Sequence, residues 1–161
     1  NLGAEPLLLE ALELGPTAAM RYLEDVLFTA QVTSSDAMEQ LLAPSESPRE
    51  TAPWFTYRGL RIEAAGEARW DVMVPGNGQS YRTPDFRAQV RMIASKAAFL
   101  WSAARPHPYS DRLLAYIRSH GRMTSGFVSG VYTADDRPTR DYGDVNTNGI
   151  ILQAIAQMLR A

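Results

Sequence analysis

Apolar residues recur at helical spacing along most of the chain. The segment from Glu5 to Leu14 is rich in helix formers, with Pro6 suited to a first helical turn and Gly15 to a C-terminal stop. After Thr17 a second amphipathic helix is predicted, because apolar residues lie three and four positions apart from Met20 to Ala30. The short gap between these two segments favours an antiparallel helical hairpin.

Further apolar stripes predict the remaining helices. The longest runs from Phe86 to Ala104, and Asp85 is its expected N-cap. The pattern also predicts a short helix from Asp36 to Leu42, a helix from Arg112 to His120 capped by the segment 109–111, and a final helix from Asn148 to Leu159 with Asn148 as its cap.

Two segments in the middle of the chain favour β-structure instead. Aromatic and β-branched residues alternate partially over 54–62 and again over 69–74, on either side of Gly66. We expect these segments to form a small β-hairpin, followed by a second turn at 75–78. This hairpin is predicted to be an insertion in a helical protein rather than a separate domain.

Paired helices joined by loops of very unequal length are typical of an α/α toroid. The predicted fold is therefore mainly α: helical hairpins of an (α/α) toroid or half-toroid with a small β-hairpin insertion. A complete ring needs about twice this length, so residues 1–161 are expected to form a single domain that is the C-terminal part of a larger toroid. The apolar faces of a half-ring predict a covering second chain or an N-terminal half.

Composition excludes several function classes. A net charge of −2 and scattered arginines give no reason to expect nucleic acid. No stretch reaches the ~20 apolar residues of a membrane span. The sequence has no cysteine and two distant histidines, so we expect no disulfide, no metal site and no cofactor.

Four stretches, in their order and spacing, resemble the domain-of-unknown-function 3131 family. They are residues 5–15, residues 42–46 with 52–55, residues 95–101, and residues 126–132 with 146–148. The resemblance implies an exported bacterial protein, periplasmic or extracellular, with a glycosidase-like α/α-toroid pattern of which this chain covers the C-terminal half. It implies a polysaccharide or oligosaccharide as partner.

If the chain is a glycoside hydrolase, it needs two carboxyl groups, one as an acid and one as a base or nucleophile. Glu5 and Glu46 are the catalytic candidates. A simpler role for Glu5 is stabilisation by the backbone N–H groups at the start of its helix. Glu46 lies in a proline-rich loop near Trp54, where it is either a catalyst or a solvated loop residue.

Aromatic rings and a lysine supply candidates for substrate binding. Trp54 and Tyr132, both near loops, are the predicted platforms for sugar rings. Lys96 lies inside an apolar helix, where it either reaches out to solvent or pairs with a buried acid of the site. Arg91 is expected to join the same network.

The segment before the last helix supplies three more candidates for substrate binding. Asp144 and Asn146 are not needed for core packing and are free to reach a site formed with Glu5 and Glu46. Asn148 is included as the cap beside them. The predicted function is polysaccharide processing by a glycoside hydrolase-like protein. The alternative is a non-catalytic glycan-binding or assembly module of a polysaccharide export system.

Overall fold

A computed structural model describes residues 1–64, 66–74, 81, 83–139 and 143–160. The helices in these ranges are α1 (Ala4–Leu14), α2 (Ala18–Met38), α3 (Pro84–Gln89), α4 (Ser95–Ala104), α5 (Pro108–His120) and α6 (Val145–Met158). The strands are β1 (Glu46–Pro48), β2 (Phe55–Ile62), β3 (Ala68–Met73), β4 (Met92–Ala94), β5 (Arg122–Met123), β6 (Gly126–Phe127) and β7 (Gly130–Tyr132). About half of the chain is helical and the sheets are small and antiparallel, which confirms a mainly α fold with small β insertions.

Helices α1 and α2 form the predicted hairpin. Gly15 follows α1, and its N–H donates to the carbonyl of Ala11. The hydroxyl of Thr17 accepts a hydrogen bond from the N–H of Met20 and so caps α2. The separate helix predicted for residues 36–42 is wrong, because α2 continues without a break to Met38 and ends at Glu39 in a left-handed conformation.

The single long helix predicted for residues 86–104 is also wrong. Helix α3 ends at Gln89, strand β4 follows, and α4 begins only at Ser95. Strand β4 pairs with β7, and the Ala94 N–H donates to the carbonyl of Ala43, so its backbone groups are satisfied between segments and not within a helix. A short apolar run does not distinguish a buried strand from a buried helix.

Three predicted caps are wrong as well, each by a few residues. Thr83 and not Asp85 caps α3, through its hydroxyl and the N–H of Phe86. The imidazole of His107 accepts from the N–H of Tyr109 at the start of α5, upstream of the predicted segment 109–111. Asp144 caps the last helix in place of Asn148.

Helix α4 is the centre of the fold. All seven residues from Ser95 to Trp101 are buried, and α4 packs against α1, α5 and α6. A helix that is apolar on every side can be stable only when other elements surround it. Helix α1 buries Ala4, Leu7, Leu8 and Ala11, and α6 buries Thr147, Ile150, Ile151 and Ala154, with the same spacing on each helix.

The predicted hairpin is confirmed by the pairing of β2 with β3, in which Leu60 lies opposite Trp70. Strand β1 extends it to a three-stranded sheet, and an isolated bridge between Leu2 and Leu60 attaches the sheet to the start of α1. The turn predicted at 75–78 lies outside the described residues.

Leu100 and Leu152 test the central position of α4. Leu100 is fully buried in α4, whereas Leu152 in α6 is 66% exposed. We expect Leu100→Ala to lower the free energy of unfolding by about 2–5 kcal/mol, because it leaves a cavity among three helices. The matched variant Leu152→Ala should change it by less than about 0.5 kcal/mol. Urea denaturation measures both, and equal losses would contradict this packing.

Candidate functional site

A buried ammonium group joins four distant segments of the chain. Lys96, the one lysine of the sequence, is 1% exposed. Its Nζ atom lies 2.5 Å from Oε2 of Glu5, 2.7 Å from Oε1 of Glu46 and 2.8 Å from Oδ1 of Asn146. The structure thus brings together four of the residues singled out in the sequence, which we call the Lys96 cluster. Lys96 is paired with acids and does not reach solvent.

Three helices point their N-termini at this cluster. Glu5, Lys96 and Asn146 are each the second residue of their helices, α1, α4 and α6. A helix N-terminus carries a partial positive charge, which favours a carboxylate and disfavours an ammonium group. Lys96 is therefore in an unfavourable position on its own helix, and the carboxylates of Glu5 and Glu46 compensate it.

Ser45 and Tyr57 belong to the same site, although neither was among the predicted site residues. The hydroxyl of Ser45 donates to Oε2 of Glu5 at 3.3 Å. Tyr57 lies opposite Glu46 in the pairing of β1 with β2. Burial raises the pKa of the Tyr57 hydroxyl, and the negative charges of Glu5 and Glu46 raise it further.

A glycine makes room for this tyrosine. A Cβ atom on Gly3 would collide with the hydroxyl of Tyr57, so a side chain at position 3 would push the ring away from the cluster. Ser45 and Tyr57 reach the cluster through the pairing register of β1 with β2. The partial alternation in the sequence does not specify that register, so it did not mark these two residues as part of the site.

Asp144 and Asn148 organise the entry to α6. Oδ1 of Asp144 accepts from the N–H of Thr147 at 2.6 Å, which fixes the first turn and with it Asn146. Asn148 joins α6 to β6: its Oδ1 accepts from the N–H of Phe127, and its Nδ2 donates to the carbonyls of Phe127 and Asp144. The amide of Asn148 is thus used within the fold, while Asn146 is directed to Lys96.

Arg91 does not join the Lys96 cluster. Its guanidinium donates to Oε1 of Gln40 at 3.1 Å. The expected link between Arg91 and Lys96 assumed a continuous helix, and the strand β4 between them removes the helical spacing.

The two predicted aromatic platforms are in different environments. Trp54 is 68% exposed. Tyr132 is buried beneath the guanidinium of Arg137, 4.4 Å from its ring centre, and its hydroxyl donates to Glu50 at 3.1 Å. Partial burial raises the pKa of Glu50, but hydrogen bonds from Arg137 and Tyr132 outweigh it and leave that pKa below its usual value. Only Trp54 of the two presents a ring to solvent.

Among the residues that the structure describes, no helix is long and apolar enough to cross a membrane. In the same ranges there is no group of three or more His, Asp or Glu side chains that could hold a metal ion.

The fold and the site together define a mainly α protein in which three helices begin at a Lys–Glu–Glu cluster with a buried ammonium group. The family model described as a protein of unknown function (DUF3131) matches residues 1–161, and the chain belongs to this family. No curated protein and no solved structure matches the chain.

Replacement of Lys96 tests whether its charge compensates the two carboxylates. Lys96→Met should lower the free energy of unfolding by about 3 kcal/mol, because it leaves two carboxylates facing each other without a cation. Urea denaturation near neutral pH measures this loss.

The triple variant Lys96→Met/Glu5→Gln/Glu46→Gln is the matched control for this experiment. Removing the two uncompensated charges should restore part of the stability lost in Lys96→Met. A triple variant less stable than Lys96→Met alone would contradict the assignment.

Proposed function

We propose that this protein processes an envelope or extracellular polysaccharide as a glycoside hydrolase-like enzyme, with Glu5 and Glu46 as its two carboxyl groups. The observation that carries the proposal is the convergence of both carboxylates on the Nζ atom of Lys96. Residues 5 and 46 come from a helix and a strand that are far apart in sequence, yet both contact one atom. Two carboxyl groups on either side of a scissile bond are what most glycosidases use.

The charge of the cluster supports this function. Two carboxylates meet one ammonium group, so the cluster carries one excess negative charge. The transition state of glycoside hydrolysis resembles an oxocarbenium ion and is positively charged at the sugar ring. Fixed negative charge beside it lowers the barrier, since the groups are already oriented before the reaction.

The two carboxylates differ in their exposure to solvent, and this difference suggests a separate role for each. The side chain of Glu46 is 32% exposed and that of Glu5 is 13% exposed. Glu5 also accepts from Ser45 and Lys96, so two donors stabilise its negative charge. We therefore assign Glu46 to proton transfer with the leaving group, because it is the one that solvent and substrate can reach, and Glu5 to charge stabilisation.

The helix arrangement supports the toroid as part of the same proposal. Helices α1, α4 and α6 are neighbours whose N-termini meet at Lys96, as the inner helices of an (α/α) toroid or half-toroid would. Helices α2 and α5 return the chain after α1 and α4. A site at one mouth of such a ring has long loops around it.

Amide substitutions at the two carboxylates test the enzymatic proposal. We expect Glu5→Gln and Glu46→Gln each to lower turnover by about 10²–10⁴-fold, the contribution typical of acid–base or charge-stabilising groups. Reducing-end release from a panel of neutral and acidic bacterial exopolysaccharides measures turnover.

The control is Glu10→Gln, an exposed glutamate on the same helix as Glu5, which should retain full turnover. Undiminished release of reducing ends by both Glu5→Gln and Glu46→Gln would contradict this mechanism.

A second candidate function is non-catalytic glycan binding. It is favoured by the contact of Lys96 with both carboxylates, because Glu46 must leave the ammonium group before it can protonate a leaving group. In that case the wild-type protein binds oligosaccharides and releases no product. Trp54→Ala then weakens binding, since the ring of Trp54 is the exposed platform.

We also propose that a second chain covers apolar surface of the half-ring. Large apolar side chains are exposed on three helices: Leu14, Tyr22 and Val145. Sedimentation at rising concentration should give a mass above the 17.8 kDa of one chain. The substitution Leu14→Glu should shift it back towards one chain, because it places a charge in the covered face. A single chain at every concentration would contradict self-association.

A further inference from the structure

A buried arginine lies on the inner face of the three-stranded sheet. Arg58, in β2, is 7% exposed. Its Nε and Nη1 atoms are buried and have no hydrogen-bond partner among the described residues. Its backbone N–H donates to the carbonyl of Ser45, so the strand is fixed while the guanidinium lacks acceptors. A buried cation without hydrogen-bond acceptors is uncommon, because nothing offsets the free-energy cost of removing its charge from water.

Two more arginines lie close to it. Arg87 and Arg91 are near enough to Arg58 for their charges, together with the larger effect of burial, to lower the pKa of its guanidinium to about 10. The Nε atoms of Arg87 and Arg91 are also buried without a partner in the described part of the chain. Four buried nitrogen atoms on these three arginines thus have no acceptor there.

Acidic residues compensate this cluster only in part. Asp71 lies 3.4 Å from Arg87. Over the described ranges, no carboxylate lies within ion-pair distance of Arg58 or Arg91, and Arg91 has the neutral amide of Gln40 as partner. Within the described ranges, three cations and one acid leave an excess of positive charge around a buried guanidinium.

We propose that Arg58, Arg87 and Arg91 form a binding site for an oxyanion, a carboxylate, sulfate or phosphate group. Guanidinium groups bind such anions through paired N–H donors. An anion here would accept hydrogen bonds from N–H groups that have no acceptor among the described residues. The side chain of Arg87 is 41% exposed and so is open to an anion from solvent, whereas Arg58 is 7% exposed. The site is separate in its chemistry from the Lys96 cluster, which has excess negative charge.

Two sources can supply this anion: a free inorganic ion, or an acidic group of a polysaccharide. The experiment compares inorganic phosphate, a galacturonate trisaccharide and its neutral galactose counterpart. Binding of the acidic and not the neutral sugar identifies the glycan as the source, whereas binding of phosphate alone identifies the free ion. Neither result depends on hydrolysis, so the anion site and the proposed enzyme activity can fail separately.

Thermal unfolding with phosphate or the galacturonate trisaccharide, at an ionic strength matched with chloride, gives the main readout. The wild-type Tm should rise with either or both ligands, because a ligand of the folded state stabilises it by mass action. Arg58→Met should lose this rise and, without ligand, unfold at the same or a higher temperature than wild type, since it removes an uncompensated buried charge. A purely structural Arg58 would instead give a lower Tm and no change in the ligand response.

Arg69→Gln is the matched control, an exposed arginine of the same sheet that pairs with Glu63. Arg69→Gln should keep the full rise in Tm with ligand. Arg91→Gln should weaken anion affinity by roughly tenfold or more, because it removes a charged hydrogen-bond donor. If Arg58→Met fails to fold, Arg91→Gln still tests the anion site. The proposal is overturned if neither phosphate nor the galacturonate trisaccharide raises the wild-type Tm, or if Arg58→Met and Arg91→Gln respond as wild type does.

Discussion

The charge of Lys96 is the constraint on which the site depends. An ammonium group that is 1% exposed, at the second position of a central helix, requires anionic partners. Glu5 and Glu46 supply them, and their contacts fix the start of α1 and the strand β1 relative to α4. Asn146 adds α6 to the same point. Four segments that are distant in sequence are thereby joined at one atom.

This arrangement links the helix packing to the proposed chemistry. Glu5 in the first turn of α1 and Asn146 in the first turn of α6 both contact Lys96 in the first turn of α4, so the three helices begin at the same end. The side chains of those turns therefore share one small volume, with charged groups held by rigid helices. Groups on rigid elements keep their orientation, and pre-oriented charges are the usual source of transition-state stabilisation. Among the described residues, two carboxylates face the one ammonium group of Lys96, whereas Asp71 is the one acid paired with the proposed arginine site at Arg58, Arg87 and Arg91.

The presence of helices was predictable from the sequence, but the residues at which they begin and end were harder to predict. The spacing of Leu7, Leu8 and Ala11 marks α1 because nothing else competes for that segment. The run that ends in Ile93 and Ala94 has the same apolar character, but pairing with β7 makes it a strand. Cap positions such as Thr83 and Asp144 were missed by a few residues, since several nearby side chains can accept the same N–H group.

By itself, the sequence determined the mainly α class, the β-hairpin insertion and the candidates Glu5, Glu46, Lys96 and Asn146, because periodicity and local chemistry act over a few residues. Tertiary structure alone decided that these four meet, that Tyr57 and Ser45 join them, and that Arg91 binds Gln40 instead. Strand register and helix packing set those contacts, and both depend on residues far apart in the chain.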